Sequence, residues 1–132
     1  MSKWAFVAML AAALFGGQAA AAEWSPIKIE DNTVREVDTA SIARNGPVVT
    51  FAARHTFVDR NEYKVGRREV KYLQTHYRAN CISRTLAQLA TEAYDEKLAL
   101  ISKQQIQLPQ DLPVTKGSID EAALNFVCKG GK

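Results

Sequence analysis

The chain has 132 residues, 47% of them apolar and 23% charged, with a formal net charge of +3. That apolar share supports a packed core of one domain's size. The mild positive balance argues against a nucleic-acid partner, which calls for a strongly basic face.

The N-terminus reads as a processing signal. Lys3 supplies the positive start, Trp4 to Phe15 form an apolar run, and Ala20-Ala21-Ala22 offers a small-x-small cleavage site before Glu23. The run is well short of the roughly 20 apolar residues that span a bilayer. Cleavage after residue 22 leaves 110 of the 132 residues, so 23–132 is expected to be one domain. It keeps all 14 acidic and 16 of the 17 basic residues, for a net charge near +2. The expected product is exported, periplasmic or secreted, without stable membrane insertion.

Glu23 to Glu30 reads as an edge strand, because Pro26 cannot donate to a ladder. Ile27 and Ile29 share one face of it. Asp31-Asn32 signals a turn, and Thr33 to Val37 resumes the extended pattern. Asp38-Thr39-Ala40-Ser41 then breaks that pattern towards a turn or short helical piece, since Asp and Ser side chains bond nearby backbone amides. Arg44-Asn45-Gly46-Pro47 is the clearest turn signal of the chain.

Val48 to Val58 follows as a long strand with Val49, Phe51, Ala53, His55 and Phe57 on one face. Asp59 to Arg68 reads as a polar loop containing Gly66. It leads into the stretch Glu69 to Cys81, whose alternate residues Leu73, Thr75, Tyr77, Ala79 and Cys81 suit a core face. These two long strands predict an antiparallel hairpin.

Residues 83–105 admit two readings. Their Ala, Leu, Gln, Glu and Lys content favours a helix. The alternative is a second hairpin, Thr85 to Tyr94 and Lys97 to Ile106, turning at Asp95-Glu96. Pro109 and Pro113 make Leu108 to Val114 an irregular connector. Ser118 and Glu121 fit a capping box, opening a final helix with Ile119, Ala122, Ala123 and Phe126 on its core face. Gly130-Gly131 stops it. On an ideal helix Cys128 points away from Ile119, which places it where the helix has begun to unwind.

In an oxidising compartment Cys81 and Cys128 are expected as a disulfide tying the mid-chain strand to the last element. The order and spacing of these elements resemble the bacterial surface-adhesin protein E family, from Trp24 onward. The matching residues are Val37, Asp38, Ser41, Ile42, Arg44, Gly46, Cys81, Gly117, Ser118, Glu121 and Cys128. The resemblance implies an α+β fold: an antiparallel sheet of about six strands with a C-terminal helix across it, pinned by the Cys81–Cys128 bond. It also implies a hairpin over 83–105, and binding of host matrix proteins such as vitronectin and laminin. The chain departs from the family's lipoprotein pattern in having no lipid-attachment cysteine near the cut.

No catalytic pattern stands out. Ser41, Ser83, Ser102 and Ser118 lack a nucleophile-elbow context, phosphate loops are absent, and Asp38 with Ser41 reads as a turn-capping pair. His55 and His76 carry no metal-ligand spacing, so neither metal nor cofactor is expected. Lys64, Arg67, Arg68 and Lys71, flanked by Tyr63 and Tyr72, form a basic cluster suited to an anionic partner. The expected function is that of an exported, non-enzymatic binding protein of the cell envelope with a protein partner. Adhesin-like binding is the first form of it, and a periplasmic structural or chaperone-like role the second.

Overall fold

A computed structural model describes residues 21–30, 33–59 and 63–130. The elements in chain order are β1 (Trp24–Glu30), β2 (Thr33–Asn45), β3 (Val48–Phe57), β4 (Lys64–Val65) and β5 (Arg68–Glu69). Then come β6 (Tyr72–Asn80), β7 (Thr85–Tyr94), β8 (Leu100–Gln105), β9 (Leu112–Pro113) and helix α1 (Ile119–Cys128). The main sheet runs β1-β2-β3-β6-β7-β8, and β9 pairs the start of β7 beyond the end of β8. Every pairing is antiparallel. The expected α+β architecture is present, with the helix a small part of it.

Local chemistry explains the turns. Gly46 and Pro47 connect β2 to β3, with Gly46 at φ 62°, where a side chain would be strained. The expected break at Asp38–Ser41 lies inside β2 as a bulge instead. The register jumps from Asp38 opposite Ala52 to Ala43 opposite Thr50. Ser41 Oγ donates to the Asp38 carbonyl at 2.7 Å and accepts from the Ala52 amide at 2.9 Å, standing in for the missing ladder bond. The expected turn at Asp31-Asn32 lies outside the described residues.

Residues 83–105 form the hairpin β7–β8, against the helical vote of their composition. Ala87, Ala90 and Ala93 are buried within the sheet, so tertiary packing overrides propensity here. Asp95 shapes the turn, its Oδ1 accepting from the Lys97 and Ala99 amides at 2.9 Å each. The loop expected before the central strand holds the small β4–β5 hairpin, and the irregular connector holds β9.

The main core joins Val37, Val49, Phe51, Ala53, Tyr77, Ala79 and Leu86 of the sheet to Ala123, Leu124 and Val127 of the helix. The capping box is formed: Ser118 Oγ accepts from the Glu121 amide at 3.1 Å, and Glu121 reaches back to the Gly117 amide. The expected core face is corrected. Ala123, Leu124 and Val127 point into the sheet, whereas Ala122 and Phe126 turn towards Pro26 and Ile27 of the edge strand. With that rotation Cys128, the last helical residue, faces inward and bonds Cys81 without any unwinding. The bond closes a loop of 47 residues, a constraint of roughly 4 kcal/mol on the unfolded chain.

Candidate functional site

At the opposite end of the sheet a second, smaller cluster packs Phe57, Val70 and Ala93, with Val65, Leu73 and Ile101 against them. The β4–β5 hairpin sits over it. Gly66, at φ 63°, makes its turn, and Val65 drops inward while Lys64, Arg67 and Arg68 stay exposed. The Val70 amide donates to the Tyr63 carbonyl at 3.0 Å, and the Lys71 amide to the Tyr94 carbonyl at 2.9 Å. These bonds fix the hairpin beside the β7–β8 turn.

Between hairpin and turn lies an open cleft of about 550 Å³. Arg67, Arg68 and Lys71 enter it from one side and Lys97 from the other, with Glu69, Asp95 and Glu96 interleaved. Arg68 pairs with Asp95 at 3.3 Å across the gap. The Ala99 amide first, then the Lys97 amide and the Arg68 guanidinium, hold the Asp95 carboxyl below its ordinary value. Asp95 is thus an anion that ties the turn together and takes up one of the cleft's cations.

The sequence-derived binding residues divide accordingly. Arg67, Arg68 and Lys71 converge on the cleft. Lys64 stands outside it, opposite Glu69 in the small hairpin. Tyr63 packs tilted against Phe57, ring centroids 5.4 Å apart, and remains 39% exposed. Tyr72 lies on the face of the sheet away from the helix, with the Arg54 guanidinium 4.8 Å over its ring and 4.4 Å over that of Trp24. Glu36 holds Arg54 in place through two bonds of 2.9 and 3.0 Å to one carboxylate oxygen. Trp24, Arg54, Tyr72 and Tyr94 line a second, smaller pocket of about 250 Å³. Burial first, then the bond its hydroxyl donates to Glu92, push the Tyr94 phenol up to about 12.

Lys97 and the Asp95–Glu96 turn were absent from the expected site. Their signal was the hairpin reading of 83–105, which carries the turn to the cleft. Trp24, Arg54 and Tyr94 meet only through a register across β1, β2, β3, β6 and β7, and spacing along the chain gives no sign of it. The two histidines do not come together. His55 shares the core face of β3 and stacks on Phe57 at 4.9 Å, while His76 lies on the other face, 3.7 Å from Glu92. Among the described residues no group of three or more His, Cys, Asp or Glu side chains could hold a metal.

Residues 24–129 match the surface-adhesin protein E family. The chain belongs to that family. Solved structures of Haemophilus influenzae protein E share its fold. One crystal form is 19% identical over 86% of this chain and 100% of that one, with a TM-score of 0.58. Protein E from non-typeable Haemophilus influenzae is 20% identical over 79% of this chain and 75% of that one, at 0.54. A selenomethionine form gives 19%, 81%, 94% and 0.55 in the same order. No curated protein matches the chain in sequence. The shared fold covers the sheet and the terminal helix. Among the described residues no helix is long and apolar enough to cross a membrane.

Proposed function

We propose that this member of the surface-adhesin protein E family is an exported binding protein, freed by cleavage between Ala22 and Glu23, that works by adhesion and not by catalysis. Its partner is a protein of the envelope or the host matrix, met through an anionic segment at the cleft between the β4–β5 hairpin and the β7–β8 turn. The observation that carries this reading is the convergence of Arg67, Arg68, Lys71 and Lys97 on one open cleft. Binding residues concentrate on loops held by a rigid frame. The main core and the disulfide supply that frame here.

Replacing Arg67, Arg68 and Lys71 by Ala is expected to change stability by less than about 1 kcal/mol each, since exposed ion pairs contribute little. It should weaken capture of immobilised matrix protein, and more at low salt, where screening is least. Equal capture by wild type and triple variant at low salt would show that the cleft is not the contact surface. A periplasmic structural role is the second reading, favoured by the fact that both cysteines are consumed by the disulfide. Treating intact cells with protease separates the two, because only a displayed protein is degraded.

A further inference from the structure

Asp38 is 9% exposed, the one carboxylate among the buried residues described. A carboxylate so placed costs free energy unless its oxygens are bonded, preferably to a cation. Its Oδ1 accepts from two backbone amides, those of Glu23 at 2.8 Å and Ala40 at 3.0 Å. Neither of those donors carries a charge.

The first of them sits at the expected cut. Glu23 is held there by more than one bond from the β2 bulge. The Thr39 amide donates to its carbonyl at 2.9 Å, and the Thr39 hydroxyl lies 3.2 Å from its Oε1. The next residue, Trp24, is opposite Asp38 in register and is clamped under Arg54. The backbone nitrogen of Glu23 is therefore fixed against a buried carboxylate.

We propose that Asp38 is a receptor for a primary ammonium group, the α-ammonium of Glu23 that forms when the chain is cut after Ala22. This rests on the cleavage reading given above. Hydrolysis adds one water across the Ala22–Glu23 peptide bond. The hydroxyl goes to the Ala22 carbonyl carbon and a proton to the Glu23 nitrogen. Ionisation of the new carboxyl and protonation of the new amine leave one negative and one positive charge. The cut thus converts a neutral N–H···O bond into a charge-assisted one, of the shorter and stronger kind.

The site falls where such a bond has most to do. β1 is an edge strand with β2 as its one sheet neighbour, and its pairing slips between Pro26 and Lys28. Fixing Glu23, the residue just before it, on Asp38 closes the open end of that strand. Asp38 from β2 holds the ammonium position directly; the other charges around it are the carboxylate of Glu23 itself, bonded to Thr39, and Arg54 from β3, which lies over the neighbouring Trp24 ring and is matched by Glu36 at 2.9 Å. The two carboxylates favour the charged amine and Arg54 opposes it, so the balance raises the affinity of the amine for its proton.

The test uses the exported protein beside the same chain bearing one retained alanine, Ala22, ahead of Glu23. Mass measurement fixes the N-terminus, and pH-dependent reductive methylation titrates the α-amine. The expected result is an N-terminus at Glu23 with an amine titrating roughly one unit or more above the ordinary value near 8. Asp38→Asn returns it to the ordinary value. The Ala22-extended chain melts at a lower temperature, and the gap closes as pH rises through the raised value, because the amine then loses its charge. Should Asp38→Asn fail to fold, the extended chain and the titration still decide the matter. An N-terminus at Glu23 with an ordinary titration, or no melting gap, overturns the receptor and leaves the cleavage intact. An N-terminus elsewhere overturns both.

Discussion

The two ends of the sheet solve different problems with the same strands. At one end α1 lays Ala123, Leu124 and Val127 on Val37, Val49 and Ala79, and the Cys81–Cys128 bond locks the helix down. At the other end only Phe57, Val70 and Ala93 are fully packed, and above them a two-strand hairpin and a turn face each other across an open cleft. The difference teaches where stability and exposure are kept apart. The helix end carries apolar burial and a covalent tie, and the cleft end carries exposed charge over a thin core. A binding rim can then vary in sequence without loosening the frame that presents it.

The sharpest way to break the comparison is to cut the staple. Cys128→Ser should lower stability by roughly 4 kcal/mol, the chain-entropy value for a loop of 47 residues. Hydrogen exchange should show the loss concentrated in α1 and its sheet partners, with β4, β5 and the β7–β8 turn little changed. Protection lost equally at both ends would mean that the sheet responds as one unit.

Paired cavity variants come next. Leu124 and Val70 are both buried, at 0% and 1% exposure, one in each cluster. Leu124→Ala should cost about 3–5 kcal/mol, because a dense core cannot collapse around the void. Val70→Ala removes two carbons from a smaller cluster under a two-strand hairpin and should cost about 2 kcal/mol. Denaturant melts of the two variants measure the gap directly. If Val70→Ala proves the more damaging, the hairpin end is part of the frame.

Much of the helix end was legible in the sequence and much of the cleft end was not, for physical reasons. Period-two alternation from Val49 to Phe57 and from Leu73 to Ala79 marks strands whose one face is buried, and Ser118 with Glu121 marks a cap by its bonding chemistry. The inward face of α1 differs from the expected one because Leu124 and Cys128 lie off the stripe through Ile119. The sheet and the disulfide, not periodicity, set the helix's rotation. β4, β5 and β9 are two residues long, too short for any period to register, and they exist because neighbours pair with them. The cleft lies between the β4–β5 hairpin and the β7–β8 turn, so its cations form a visible cluster in the sequence while the wall opposite them depends on the sheet pairing.

The smallest expected effect lies on the seam between the two ends. His55 stacks on Phe57 of the smaller cluster and faces Arg35, which reaches Asp120 of the helix at 3.7 Å and the Tyr77 hydroxyl at 3.5 Å. Burial first, and then the charge of Arg35, lower the His55 pKa below its ordinary 6.5. The folded protein therefore resists protonation that the unfolded chain accepts. Stability from this group is complete above about pH 6.5, and it falls as pH drops towards the lowered folded value, where the unfolded state binds more protons. Melting temperatures measured from pH 7.5 down to 5.5 should decline more steeply for wild type than for His55→Gln, which has nothing to protonate there. Parallel curves would mean that His55 is as free to charge in the fold as out of it, and that the seam is open to water.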